Sequence, residues 1–158
     1  MIGALRACAD IHAALAQAEA DSRERPGDTL LNAVQLPIRR AAIELRRNRP
    51  AKAVTLLEEA RSFERRYPEV MYLRGLAYLT MRESAAAATE FRKIIDHKGA
   101  TWGPRYAPAH VGLARAALQA GDSAGAKKAY RDFLALWKDA DADIPLLIEA
   151  KKEYAALR

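Results

Sequence analysis

The sequence predicts an all-α fold, an α-solenoid of stacked antiparallel helical hairpins, and three observations predict it. The chain of 158 residues contains 35 Ala against only 8 Gly and 7 Pro, and Ala is the strongest helix former with little preference for strands. Hydrophobic residues make up 51% and charged residues 29%, which suits one packed unit and excludes disorder over most of the length. Most telling is an internal recurrence. Ala41, Ala53, Leu57 and Ala60 return 34 residues later as Gly75, Ala87, Phe91 and Ile94, and 39 residues after that as Ala114, Ala126, Tyr130 and Phe133. Small residues at these spacings let two antiparallel helices cross closely, while the large residue fills the space between hairpins.

The elements follow in order. A short helix is expected near 2 to 8, a turn at Ala9-Asp10, and a helix over 10 to 24 ended by Pro26-Gly27, where proline cannot continue the hydrogen-bond ladder. Asp28 caps a helix over 29 to 47 that Pro37 kinks. Pro50 opens a helix to about 65, and Pro68 one to 81. Ser84 opens 84 to 97, and the loop from Lys98 to Arg105 holds the five residues that lengthen 34 to 39. Helices over 106 to 120 and 122 to 138 come next, and Asp143 caps a last one over 144 to 157. Leu147, Ala150, Tyr154 and Leu157 form its apolar stripe, so it reads as a capping helix over the last hairpin.

Leu113-Ala114, Ala117, Gly121-Asp122, Ala126 and Tyr130 form the fullest copy of the pattern, and Gly75, Tyr78, Ala87 and Phe91 the next. Through these residues the chain resembles tetratricopeptide repeat proteins, built from helix-turn-helix units of about 34 residues. The copy around Ala41 departs from the pattern, with Asn48-Arg49-Pro50 at the turn and no aromatic at Leu57. The resemblance implies a right-handed solenoid of about three and a half repeats, with 1–27 a partial repeat, 28–67, 68–105 and 106–140 whole ones, and 141–158 the cap. On this reading the chain begins inside a repeat, as an excised fragment would. Asp28-Thr29-Leu30, Leu73 to Leu79, Ala126 to Trp137 and, above all, the string from Trp137 to Pro145 resemble the C-terminal tetratricopeptide region of large bacterial serine/threonine protein kinases. That implies a non-catalytic sensory or docking segment of a multidomain signalling protein.

The residues themselves argue against catalysis. Gly121 to Lys127 has the wrong glycine spacing for a phosphate loop and follows a helix. His12, His97 and His110 are scattered, and the single Cys8 lacks a Cys partner, so neither a metal site nor a cofactor is expected. Asp139, Asp141 and Asp143 alternate without the central Gly and later Glu of a calcium loop. No apolar run approaches the roughly 20 residues that cross a bilayer, and Arg6, Asp10, His12 and Glu19 interrupt the place of a signal-peptide core. Cysteine usage leaves the compartment open: cytoplasmic, or extracytoplasmic behind a membrane anchor in a longer parent.

The net charge is +6, and Arg39, Arg40, Arg46, Arg47, Arg49 and Lys52, extended by Arg61, Arg65 and Arg66, form the densest basic stretch. Nucleic acid or another acidic partner is the alternative that stretch offers, but interleaved Glu44, Glu58, Glu59 and Glu64, and the lack of an aromatic among the arginines, disfavour nucleic acid. A protein or peptide partner is expected instead. By the resemblance, the first helices of successive hairpins line an inner surface at Gln35, Ile38, Arg46, Tyr72, Leu76, Thr80, Arg115 and Gln119, with Ala42, Leu45, Glu69, Leu79, Val111 and Leu118 beside them. The positions where some relatives grip a terminal carboxylate hold Ile38, Ala42, Leu73 and Gly112, which argues against that ligand class. The inserted loop places Trp102, Arg105 and Tyr106 close together, residue types that dominate binding hot spots, and offers either a second surface or a lid on the joint between hairpins.

Overall fold

The computed structural model describes residues 2–97 and 103–157, and side chains within these from residue 13 onward. Helices account for all regular structure among the described residues. They are α1 (Ile2–Glu24), α2 (Leu36–Arg46), α3 (Pro50–Glu58), α4 (Glu69–Thr80), α5 (Ser84–Asp96), α6 (Tyr106–Gln119), α7 (Ser123–Leu136) and α8 (Pro145–Ala155). Each packs against its neighbours in sequence, and α2 also touches α4, as α4 touches α6. No helix among the described residues is long and apolar enough to cross a membrane.

Three turns of one design join α2 to α3, α4 to α5 and α6 to α7. In the first, Arg47 N–H donates to Ile43 O, Asn48 N–H to Leu45 O and Arg49 N–H to Glu44 O. The same three bonds recur at Met81, Arg82 and Glu83, and again at Ala120, Gly121 and Asp122. They satisfy carbonyls that a helix end leaves without partners. Each turn needs one residue at positive φ, and these are Asn48 at 56°, Arg82 at 60° and Gly121 at 80°. After the third turn, Asp122 caps α7 by accepting from Gly125 N–H at 2.8 Å.

The small and large residues of the recurrence all reach the interior. Ala41, Ala53, Ala87, Ala114 and Ala126 are fully buried, as are Leu57, Phe91 and Tyr130. Ala126→Leu is therefore expected to overpack the α6–α7 crossing and lower stability by about 1–3 kcal/mol, read as a lower thermal midpoint. Leu147 and Ala150 of α8 are buried against Val111, Ala114 and Phe133, with half-buried Tyr154 and Leu157 completing the contact.

Four local readings of the sequence need correction. The turn expected at Ala9-Asp10 is absent: α1 runs unbroken from Ile2 to Glu24, since no Gly or Pro lies between Ala4 and Arg25 to break an Ala-rich ladder. The kink at Pro37 takes the form of a π-helical turn, Leu31–Gln35, in which Leu36 N–H donates to Leu31 O. The proline ring displaces the carbonyl four residues back, so the preceding turn widens. Asp28 does cap this segment, accepting from Leu31 N–H at 2.9 Å. Next, α3 stops at Glu58 and not near 65, and a 3-10 turn at Arg61–Phe63 follows. This tighter winding keeps Ala60 buried and directs Glu64 back to Arg74 of α4. Finally, Asp143 does not cap α8. Ile144 stands at the boundary with extended backbone (ψ 120°), and Pro145 is the first helical residue, because the residue before proline is held out of the helical region.

Candidate functional site: a leucine-lined groove

Because α2, α4 and α6 lie side by side, residues at matching places in their last turns form one surface. Leu45, Leu79 and Leu118 occupy one such place and Arg46, Thr80 and Gln119 the next. Together with Leu76, Arg115, Tyr130 and Glu153 they line an open groove of about 700 Å³. The four leucines are half-buried. Local bonds hold the rim: Thr80 Oγ1 donates to Leu76 O at 2.9 Å, and Gln119 Nε2 reaches across to Leu79 O at 3.0 Å, tying α6 to α4.

At one end of the groove α8 closes in. Arg115 binds Glu153 with two donors, Nε at 3.1 Å and Nη2 at 2.8 Å, and Nη2 also meets Glu149 at 3.0 Å. The Tyr130 hydroxyl donates to the same Glu153 carboxylate. Burial alone would raise the Glu153 pKa, but hydrogen bonds from Arg115 and Tyr130 hold it below the usual carboxylate value. Burial opposes the Arg115 charge, yet bonding to Glu153 and Glu149 raises its pKa further above the ordinary arginine value. Burial and the Glu153 carboxylate together push Tyr130 upward.

The groove thus gathers eight of the residues picked from sequence: Leu45, Arg46, Leu76, Leu79, Thr80, Arg115, Leu118 and Gln119. Gln35 lies instead in the π-helical turn, and Ile38 packs into the core around Ala41 and Leu57. Val111 is buried beneath α8 and does not line the groove. Tyr72 and Arg105 meet, with the guanidinium 5.0 Å from the ring centroid, and Arg105 also pairs with Glu69. Burial raises the Tyr72 pKa against the opposing charges of Arg105 and Arg115. Tyr106 goes elsewhere: it stacks edge-on against His110 at 5.4 Å and lines a second cleft with Ile95, Asp96, Lys128 and Asp132. Arg105 and Tyr106 therefore serve different surfaces, and Trp102 lies outside the described residues. Tyr130 and Glu153 were not picked as site residues. The spacing of Glu149 and Glu153, four apart on one helix face, is the signal that could have found the latter.

The basic stretch is broken up by pairing. Arg47, Arg49 and Lys52 surround the buried Glu44 at 3.1, 3.6 and 3.6 Å. Arg40 meets Glu19 at 3.1 Å and Arg61 meets Glu58 at 2.8 Å. No protein-family model matches the chain, and no curated protein matches it.

Proposed function

We propose that the chain is a tetratricopeptide-type solenoid that works as a non-catalytic protein-interaction module, with the leucine-lined groove as its partner-binding surface. The observation that carries this reading is the threefold recurrence of one turn and, beside it, one leucine: the bonds at 47–49, 81–83 and 120–122 accompany Leu45, Leu79 and Leu118. Identical turns impose a common hairpin geometry, and stacked hairpins set their first helices along one face. Half-buried leucines along such a face offer an apolar seat, and polar Thr80 and Gln119 stand at its edge. From the string Trp137 to Pro145 and its companions, we further propose that the parent is a multidomain bacterial signalling protein of the serine/threonine kinase type. The pairing of the basic stretch supports a protein partner over nucleic acid.

Leu79→Arg tests the groove. It places a charge at the centre of the seat; because half-buried Leu79 also packs against the core around Ala87 and Phe91, a modest fall in thermal midpoint is expected with the helical fold retained, checked by circular dichroism. Partners captured by the immobilised parent chain and identified by mass spectrometry are expected to be lost with Leu79→Arg and kept with Lys127→Glu at an exposed position of α7. Equal capture by the parent and both variants overturns the groove assignment.

A further inference from the structure

We propose that Arg115 and the Tyr130 hydroxyl form a carboxylate-binding subsite at one end of the groove, that the chain's own Glu153 fills it, and that the groove's partner is an acidic helical segment that exchanges with α8 there. The proposal rests on the groove reading above and names the chemistry of the ligand.

In a groove floored by leucine, polar donors converge on one point. Two come from the Arg115 guanidinium and one from Tyr130, and both residues belong to the third hairpin. Tyr130 is fully buried, so its hydroxyl is held in place by the core around Ala129 and Phe133. Arginine in this forked geometry recognises the planar shape of a carboxylate as well as its charge. The acceptor belongs to a different element: Glu153 reaches the donors from α8, beyond the connector 137–144. Glu149, one helical turn earlier, takes a second position on Arg115. The receptor thus reads two carboxylates spaced four residues apart on a helix.

Charge along the groove points to the same ligand class. Its lining holds Arg46, Arg115 and the single carboxylate Glu153, which α8 supplies. With α8 displaced, the Arg115 guanidinium loses both of its carboxylates and presents a charge complementary to an acidic segment. The Glu149 side chain is 61% exposed and Glu153 33%, so a competitor meets these contacts from solvent first, and full exchange then requires Leu147 and Ala150 of α8 to leave the core. A tethered α8 competes at an effective concentration on the order of millimolar. It therefore sets a threshold that a partner must exceed.

The test uses the full chain and a fluorescein-labelled synthetic peptide with the sequence of residues 144–157, read by fluorescence anisotropy. Glu153→Ala weakens the tethered competitor and leaves the donors in place, so it is expected to bind the peptide at least about tenfold tighter than the parent chain. Glu153→Gln, nearly the same shape, is expected to shift binding in the same direction and serves equally if the alanine variant misfolds. The gain is expected to vanish when Arg115→Met is added, or when both glutamates of the peptide are replaced by glutamine. Equal affinity of parent and Glu153 variants, or indifference to the peptide's glutamates, overturns the proposal. Loss of partner capture by Leu79→Arg alongside an unresponsive peptide would leave the groove standing and remove the subsite. Peptide exchange with unchanged capture by Leu79→Arg would do the reverse.

Discussion

Replacing Arg74 with alanine is expected to lower folding stability by about 3–5 kcal/mol, because it leaves the buried Glu90 and the half-buried Glu64 without their main counter-charge. The Arg74 side chain on α4 is 1% exposed and meets Glu58 at 3.2 Å, Glu90 at 2.8 Å and Glu64. These acids come from α3, α5 and the segment after the 3-10 turn, so Arg74 ties the first hairpin to the second. Lys93 alone would remain beside Glu64 and Glu90, at 3.4 and 3.0 Å. Burial alone would raise the Glu64 pKa, but the hydrogen bond and charge of Arg74, helped by Lys93, hold it below the usual carboxylate value. A depressed carboxylate stabilises the fold above its unfolded pKa, about 4.3 for glutamate, and that contribution is lost as pH falls through the lower folded value. In Arg74→Ala burial gains weight, so acidification relieves the variant while it weakens the parent. Urea denaturation at pH 7 and at pH 4 is expected to show the gap between parent and variant narrowing at the lower pH. A gap that stays constant would show that Arg74 acts through packing and not through charge.

How far this arrangement can be read from the chain depends on whether its partners are related by a period. Ala87, Ala126, Phe91 and Tyr130 were legible because a hairpin repeats its crossing at fixed spacing, and all four are buried. The third turn was legible in Gly121, whose positive φ costs glycine little. The first two were legible in place, at Asn48-Arg49-Pro50 and between 81 and 84, but not in conformation, because Asn48 and Arg82 take the same positive φ without a glycine to announce it. Arg74 showed only as a residue in a repeat-like string. Its partners at 58, 64 and 90 share no period, since they belong to different elements that only the fold brings together. The groove was partly legible for the same reason: Leu45, Leu79 and Leu118 recur, whereas Glu153 reaches the groove from a helix outside the recurrence. The unbroken α1 went unread because Ala9-Asp10 looks like a turn only when a hairpin is expected there.

The Phe91 ring stands between two bare helix backbones, and its loss is expected to cost about 3–5 kcal/mol in Phe91→Ala. A Cβ placed on Gly75 of α4 would lie 2.7 Å from the ring, and one on Gly112 of α6 only 2.4 Å. Both glycines sit inside helices, where glycine is less favourable than alanine by about 1 kcal/mol. The close approach of the ring is the reason for tolerating them. Gly112→Ala therefore has two opposing effects: it gains the helix preference, and it drives a methyl group into an aromatic ring that α5 holds fully buried. Overpacking of a filled core costs about 1–3 kcal/mol, so the single variant is expected to be less stable than the parent. Shortening the ring should reverse the sign. In a Phe91→Leu background the clash is removed and a gap opens, and Gly112→Ala then fills space while improving the helix. Denaturant midpoints of the parent, both single variants and the double variant give the coupling between the two positions, expected at about 1 kcal/mol or more. Additive effects would mean that α6 can draw back from α5 freely, and that the ring does not set the distance between the second and third hairpins.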